Sequence, residues 1–410
     1  MISLFLVFCV LFIYLYEVNF VFIPFLASKQ IMELLGMMLF FFDKRALQHL
    51  NRYFGIFFAA FLLIVISFIS IQMNGGGQWV YHTVFISCVL NFFGAFFIYK
   101  LLRKIIKDFD SFLNILIKCV LFQCVIAVLF KVYPPLYNFA YQIVWSEGVE
   151  KNVTYGVESL YRLVGLGRAV AFSILPTASL GMLSCAYFII RSEEKKYYYY
   201  CFSLLFISSV SFLIARTSLL LMLLSILYII IAFIRKHQTS KLVKILVLLG
   251  AFVMVILSTV MMILPEDMYE WAFEIFLNMQ DGGTGTETGS ANLIYTMVTE
   301  THFSPITLFI GDAMYMNPNG GYYGSVDIGF FRQVLYYGLP GLLTFLFLHY
   351  MIIKKCVRKS NDSDKKSFFL FLFLGFLVIL AKGDTTLAPL FIFLLVMMDF
   401  GGLCSARTIK

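Results

Sequence analysis

Runs of about 20 apolar residues recur along this chain, with clusters of lysine and arginine between them. A helix needs about that length to cross the hydrocarbon core of a bilayer, whereas a membrane-barrel strand would show alternation over about 10 residues. Hydrophobic residues make up 61% of the 410 positions, charged residues only 13%, and mean hydropathy is +0.89. A water-soluble domain would not tolerate this balance. We therefore expect an all-α integral membrane protein, with residues 1–410 forming a single polytopic domain.

About twelve membrane spans are predicted from these runs. They lie near residues 2–18, 22–42, 53–72, 79–101, 112–132, 168–190, 198–214, 217–234, 242–264, 330–353, 367–381 and 386–403. The first run has no basic flank and no small-residue cleavage pattern. We therefore interpret it as a retained span rather than a signal peptide.

The basic clusters all fall on one side of this predicted arrangement. They are Lys44 to Arg52, Lys100 to Lys107, Arg191 to Lys196, Arg235 to Lys244, Lys354 to Lys366 and Arg407 to Lys410. The positive-inside rule makes that side cytoplasmic, together with both termini. This distribution explains the net charge of +8 without nucleic acid as a partner.

The cysteines and the absence of known motifs argue against disulfide, metal and nucleotide sites. The 8 cysteines lie in apolar runs or near basic clusters, without metal-ligand spacing. We interpret them as small hydrophobic residues and expect no disulfide, metal or cofactor. The sequence contains no P-loop, Rossmann fingerprint or nucleophile elbow, which argues against a primary pump.

Two long loops are predicted on the outer side, at residues 133–167 and 265–329. The larger loop contains no lysine or arginine. Carboxylates recur in it at helical spacing, at Glu266, Glu270 and Glu274, which predicts an amphipathic helix on the membrane surface. A glycine-rich linker and a short helix from Ser290 to His302 are predicted to follow.

The segment from Tyr198 to Ile234 would extend about 55 Å as one helix, against a hydrocarbon core of about 30 Å. It must therefore fold back, and Ala215 to Thr217 is the one place where it can. This predicts Arg216 in a tight turn on the outer side. Further on, G-L-P-G at 338–341 predicts close helix packing and a proline kink rather than chemistry.

Few cations remain on the predicted outer side. They are Lys131, Lys151, Arg162, Arg168, Arg216, Arg332 and Lys382. Cations near the bilayer on that side are disfavoured, so their presence indicates an anionic partner. The planar fork of arginine suits a pyrophosphate, and helix N-termini near Arg168 and Arg332 add favourable dipoles. Alternatively, these arginines reach lipid headgroups or pair with the loop's own carboxylates. That alternative is weakest for Arg216.

Candidate acids and bases on the outer side are Asp327, Asp312, Glu300, His302 and Glu287. A general base must reach the acceptor hydroxyl, so a position at the membrane boundary favours Asp327. Arg332 follows it by about one and a half helical turns. The structural alternative for Asp327 is an N-cap of the tenth span. A histidine such as His302 is more often simply solvated.

Several features, taken in this order, resemble the bacterial O-antigen and capsular polysaccharide polymerases called Wzy and, more distantly, the O-antigen ligases called WaaL. They are Y-R-L-V-G-L-G-R before the sixth span, A-R-T-S-L-L in the tight turn, the large outer loop, and D-I-G-F-F-R-Q-V-L-Y-Y-G-L-P-G leading into the tenth. In the ligases a histidine precedes a glycine by eleven residues. Here Asp327 precedes Gly338 by that spacing, which favours polymerase over ligase.

The resemblance implies a glycosyltransferase C-type-like fold and a metal-independent glycosyltransferase at the outer face of the bacterial inner membrane, serving lipopolysaccharide or capsule synthesis. The donor would be a glycan on undecaprenyl pyrophosphate and the acceptor a repeat unit on the same carrier. A chain-length regulator and a flippase would be partners.

Under this hypothesis, Arg162, Arg168 and Arg216 hold the donor pyrophosphate. Asp327 accepts the acceptor's proton, and Arg332 orients Asp327 or binds the second carrier. The large loop would cover the site, with its glycine-rich linker as a hinge.

An O-antigen ligase and a flippase for the same lipid-linked sugars are alternatives, and a structural or assembly role is a third. Transporters usually show internal repeats and midplane charges in broken helices. The sequence shows neither clearly.

Overall fold

The computed structural model describes residues 2–23, 26–48, 50–79, 82–145, 162–167, 171–192, 194–263, 270, 273–274, 277–278, 289–318, 320–360, 362–383 and 387–406. These residues are mostly helical. The helices are α1 (Ile2–Tyr16), α2 (Ser28–Phe42), α3 (Lys44–Gln48), α4 (Phe54–Met73), α5 (His82–Leu102), α6 (Phe109–Val132), α7 (Pro134–Ile143), α8 (Leu175–Arg191), α9 (Glu194–Ile214), α10 (Ser218–Arg235), α11 (Thr239–Ile263), α12 (Gly289–Glu300), α13 (Pro305–Ile310), α14 (Gly329–Lys359), α15 (Ser363–Leu380) and α16 (Ala388–Ala406). Two short strands, β1 (Asn19–Phe20) and β2 (Val144–Trp145), pair antiparallel.

Each of the twelve predicted spans coincides with one of the longer helices. Among the described residues, 7 helices are long and apolar enough to cross a membrane. They are Phe54–Met73, Phe85–Leu102, Phe109–Val132, Phe172–Arg191, Lys196–Ile214, Ser218–Arg235 and Gly329–Lys359. The chain is therefore a helical, multi-pass membrane protein, as predicted, while the count of twelve spans stays a prediction.

The outward faces of the helices are apolar, as α10 illustrates. Its Ser218 and Ser225 are buried, whereas Leu220, Leu223 and Leu227 are exposed. A helix facing water shows the opposite pattern, because its apolar stripe packs against the core. Lipid around the bundle accounts for leucine outside and serine inside, since buried serines can bond within the helix. Ser225 does so by donating to the Leu221 carbonyl at 2.9 Å.

Helix α8 lies at the centre of the bundle and is buried along almost its whole length. It packs against α6, α9, α10 and α15. Small side chains such as Gly181, Ser184 and Ala186 allow this close approach, because van der Waals packing rather than hydrophobicity holds helices together in lipid. A Cβ on Gly181 would lie 2.8 Å from the Val120 side chain.

Three of the predicted basic clusters meet at one end of the bundle, called here the basic end. Arg191 at the end of α8 pairs with Asp362. After α10, Arg235 and Lys236 pair with the Asp364 carboxylate at 3.1 and 2.8 Å. These contacts join connections that are remote in sequence, so the prediction that these clusters share one side is confirmed.

Helix α14 is interrupted at Gly338, where φ is 72° and ψ is −176°. A Cβ there would lie 2.7 Å from the carbonyl carbon of Phe309, so glycine is needed for α13 to pack against the break. The close packing predicted for G-L-P-G is confirmed. The break falls on Gly338 and not on Pro340, and it separates residues 329–337 as a half-helix. The interruption predicted for this motif is therefore present, two residues before the proline expected to cause it.

Candidate functional site

The half-helix, residues 329–337, lies at the end of the bundle opposite the basic end and is anchored to the end of α4. The Tyr336 hydroxyl donates to the carbonyl of Gln78, and the Ser70 hydroxyl donates to the Tyr336 carbonyl at 3.1 Å. The backbone N–H of Gln78 in turn donates to the Ala313 carbonyl at 2.8 Å. These bonds hold the half-helix and the loop before it as one unit, which positions the side chains of both.

Arg332 projects from the half-helix into an aromatic pocket. Its guanidinium carbon lies 3.6 Å from the Tyr322 ring centroid and 4.5 Å from that of Tyr315. The two rings meet edge to face, with centroids 5.9 Å apart. Only 5% of Arg332 is exposed, so cation–π attraction acts on a largely desolvated charge. Arg332 is thus held inside the protein rather than reaching out to lipid headgroups.

Asp327 precedes the half-helix and is partly exposed. Its backbone N–H contacts the Met297 sulfur at 3.4 Å, which ties it to α12. The residue at the helix N-cap is Ile328, so the capping role considered for Asp327 is wrong. The chain reaches helical geometry one residue later than that alternative required.

The Asp312 carboxylate belongs to a hydrogen-bonded group around α13. It accepts from the Thr307 hydroxyl at 2.6 Å, and the Asp312 N–H donates to the Leu335 carbonyl at 2.6 Å. Burial and the Asp312 carboxylate raise the pKa of Tyr323, which is hydrogen-bonded to it. Asp312 therefore has a structural task in joining the loop to the half-helix.

Glu300 and His302 are exposed at the end of α12. The predicted helix from Ser290 to His302 is confirmed, with bounds Gly289–Glu300. Neither side chain is part of the hydrogen-bonded group around Asp312. Glu287, the last acidic candidate, lies outside the described residues.

Arg216 lies in the predicted tight turn, because α9 ends at Ile214 and α10 begins at Ser218. One of its guanidinium nitrogens, Nη1, lies 2.5 Å from a carboxylate oxygen of Glu274, and the Arg216 side chain is 17% exposed. Next to this ion pair, the rings of Phe212 and Phe273 meet with centroids 6.0 Å apart. The turn is therefore docked against the large loop through a charge pair and a ring pair.

The segment 162–167 runs beside the same turn. The Leu163 N–H donates to the Leu213 carbonyl at 3.1 Å, three residues before Arg216. Its other end is fixed at Gly167, where φ is +64° and a Cβ would lie 2.2 Å from the Tyr16 carbonyl oxygen. Arg162, half-buried, is thus brought into the neighbourhood of Arg216. Arg168 follows Gly167 directly but lies outside the described residues.

The start of α14 also approaches the start of the sixth span. A Cβ on Gly329 would lie 2.3 Å from the Gly383 carbonyl oxygen, and one on Gly383 would lie 2.7 Å from the Phe172 ring. Lys382 precedes Gly383 and is partly exposed. The backbone that follows Asp327 therefore comes close to the start of the sixth span, at Phe172.

Two groups of side chains therefore lie at this end. One is Arg216 with Glu274, beside segment 162–167, and the other is Arg332, on the half-helix that follows Asp327, with Tyr315 and Tyr322. The sequence predicted that these arginines were unusual, and it offered pairing with the loop's carboxylates only as an alternative, held to be weakest for Arg216. Arg216 nevertheless makes such a pair, with Glu274. The loop's exclusively acidic charge was a signal for the Glu274 pair. Nothing in the spacing of Tyr315 and Tyr322 indicated that both rings would meet Arg332. Among the residues that the structure describes, no group of three or more His, Cys, Asp or Glu could hold a metal ion.

The class defined by this structure is a multi-pass α-helical membrane protein with two arginine-containing groups at the end opposite its basic clusters. Comparison with protein-family models, with curated proteins and with solved structures finds no match for this chain.

Proposed function

We propose that the protein is a polysaccharide polymerase. In this proposal it transfers a glycan from undecaprenyl pyrophosphate to a repeat unit on a second undecaprenyl pyrophosphate, at the outer face of a bacterial inner membrane. The chain would cross the membrane twelve times, with both termini in the cytoplasm. The observation that carries the proposal is the Arg216 turn. It holds a guanidinium against a loop carboxylate, beside segment 162–167 and opposite the basic end.

In this proposal, Glu274 occupies the position on Arg216 at which the donor's pyrophosphate would bind. A carboxylate and a phosphate oxygen accept the same kind of charge-assisted bond from arginine, and the phosphate carries more charge. Binding of the donor would displace Glu274 and release the large loop from the Arg216 turn. The resting ion pair would then serve as a latch that closes the site until a pyrophosphate arrives.

In the proposed reaction the acceptor hydroxyl attacks the anomeric carbon of the donor glycan. The bond from that carbon to the pyrophosphate oxygen breaks, and the electron pair leaves with undecaprenyl pyrophosphate. Arg162, Arg168 and Arg216 stabilise this leaving group. The Asp327 carboxylate accepts the proton of the acceptor hydroxyl.

Arg332 is a positioning residue in this scheme. Because it is buried between Tyr315 and Tyr322, it orients the start of the half-helix that follows Asp327 rather than gripping a carrier lipid directly.

The test uses a strain that lacks the gene and carries single variants on a plasmid. Asp327→Asn is expected to lower polymer at least about 100-fold, the usual effect of losing a general base. Arg216→Ala is expected to lower it strongly and Arg216→Lys to restore part. Lys131→Gln, at a cation of the predicted outer side that has no role in the proposed reaction, is expected to leave the ladder normal. Surface polysaccharide is compared by gel at matched protein levels. A normal ladder in a well-expressed Asp327 or Arg216 variant contradicts that residue's role.

A flippase is the second candidate, and a specific observation favours it. The interruption of α14 at Gly338, six residues after a buried arginine, is the kind of broken helix found in transporters. The strain without the gene separates the classes. A missing polymerase leaves single repeat units at the cell surface, and a missing flippase leaves none. A missing ligase leaves long polymer on its carrier lipid.

A further inference from the structure

A cavity of about 360 Å³ opens at the basic end, between α2, α3, α5, α16 and the residues just before α4. The described residues of its lining include four basic side chains, Arg45, Arg52, Lys100 and Arg103, and one carboxylate, Asp43. The formal charge of these five side chains is therefore +3. Aromatic rings close its inner wall, and the buried residues among them include Tyr53, Phe96 and Tyr99.

The carboxylate of this lining, Asp43, is engaged by Lys100. The Lys100 ammonium pairs with Asp43 and also lies 5.2 Å from the Phe96 ring centroid. The hydrogen bond from Lys100 lowers the pKa of Asp43, so this carboxylate stays ionised and remains with Lys100. The arginines provide the planar forks of the cavity, which suit phosphate oxygens.

A second cavity of about 340 Å³ adjoins the first and shares Arg52 and Met398 with it. The described residues of its lining add Lys355, Arg358 and Lys359 and include no acidic side chain. The Lys355 ammonium donates to the Arg52 carbonyl at 2.6 Å and joins the two cavities. Two cavities lined by basic side chains therefore adjoin each other and share Arg52.

Large apolar side chains flank the first cavity. Phe42, which precedes Asp43, is 81% exposed, and Phe54, which follows Tyr53, is 67% exposed. Such side chains are stable in acyl chains and not in water. The cavity thus offers cations for a headgroup and apolar faces for the chains attached to it. This combination fits an amphiphilic phosphate better than a soluble one.

We propose that the two cavities bind the headgroup of an anionic phospholipid that carries two phosphates. One phosphate contacts Arg45, Arg52 and Arg103, and the other contacts Arg52, Arg358 and Lys359. The acyl chains run along Phe42 and Phe54 into the bilayer. Basic pockets between membrane helices on the cytoplasmic side bind lipid headgroups in this way. The site is separate from both arginine groups of the opposite end, so it does not depend on the proposed function.

The test measures binding of labelled cardiolipin, a two-phosphate lipid, to the full-length protein in nanodiscs of neutral lipid. Replacing Arg45, Arg52 and Arg103 together by Gln is expected to weaken binding about 100-fold, at about 1 kcal/mol for each cation near the surface. The matched control replaces Lys104, Lys107 and Lys244 by Gln. These exposed cations of the same predicted side lie outside the described linings, and binding is expected to stay within about threefold.

A second pair of variants tests the two-phosphate geometry. Arg358→Gln with Lys359→Gln is expected to weaken cardiolipin binding about thirtyfold and that of phosphatidylglycerol, which has one phosphate, less than threefold. Equal loss for both lipids overturns the two-site proposal, and this comparison decides the question even if the triple variant does not fold. An equal fall in the lysine control shows general surface charge only. Displacement of cardiolipin by equimolar inorganic pyrophosphate shows a soluble-anion site. Either result overturns the proposal.

Discussion

The two ends of the helix bundle hold their charges in different ways. At the basic end, carboxylates and cations from several connections between helices form a shared network. In this network the single carboxylate of Asp364 contacts both Arg235 and Lys236. At the opposite end, Arg216 meets a carboxylate of the large loop and Arg332 lies between two tyrosine rings. The first arrangement is built from residues at helix ends, whereas the second joins a turn and a half-helix to residues of the large loop.

This difference separates charges that hold the fold from charges that are available for exchange. Asp364 has 8% of its side chain exposed, and its Tyr228 neighbour donates to its backbone carbonyl at 3.0 Å. Replacing one of its cations removes a partner from the buried Asp364 carboxylate. The Arg216 pair lies at a loop contact, where a stronger anion could replace Glu274 with little loss.

The largest expected effect is at the basic end. Asp364→Asn removes the carboxylate that Arg235 and Lys236 share, and should lower the free energy of unfolding by about 2–3 kcal/mol. This lies between the cost for an exposed pair and that for a fully buried one, because both cations can regain water. Reversible unfolding in mixed micelles measures it. Glu300→Gln, which removes an exposed carboxylate, is the control and should change little. A loss no larger than in that control would remove the distinction between the two ends.

A smaller effect is expected where rings rather than carboxylates hold the charge. Tyr322→Leu removes the closer ring over Arg332 and should cost about 1–2 kcal/mol. Hydrogen exchange of the amides in residues 329–337 measures it, with an expected loss of protection of about tenfold. Tyr295→Leu, at an exposed tyrosine of α12, is the matched control. Unchanged protection in the Tyr322 variant would mean that neighbouring backbone bonds alone hold the half-helix.

The smallest effect on stability is expected at the Arg216 turn. Glu274→Gln keeps the shape of the side chain and removes its charge, and should cost less than about 1 kcal/mol because Glu274 is partly exposed. The same unfolding measurement used for Asp364→Asn allows a direct comparison of two neutralised carboxylates. A cost equal to that of Asp364→Asn would identify the Arg216 pair as part of the fold rather than an exchangeable contact.

Much of the scaffold could be predicted from local properties of the chain. The turn at Arg216 followed from a length that exceeds one membrane crossing, and the structure places a three-residue connection there. The gathering of the basic clusters followed from the positive-inside rule. The break in α14 was predicted only in part, because a proline suggested a kink two residues beyond the glycine whose conformation produces it.

The candidate site was less predictable, as Asp327 and Arg332 illustrate. A carboxylate before an apolar helix suggests a cap, yet the helix begins after Ile328 and leaves Asp327 outside it. Whether Arg332 faces lipid or protein depends on where the chain from Tyr315 to Tyr322 turns. That path has no periodicity in the sequence, since it is set by hydrogen bonds to Gln78, far away in the chain.

The sequence by itself determined that this is a helical membrane protein, where its long apolar helices lie, and which of its cations are unusual. These properties follow from hydropathy and charge summed over short windows, so neighbouring residues are enough to specify them. The tertiary structure alone decided the partners of those cations: Glu274 for Arg216, and the rings of Tyr315 and Tyr322 for Arg332. Such contacts depend on how segments remote in sequence approach one another, and packing between helices and loops sets that distance.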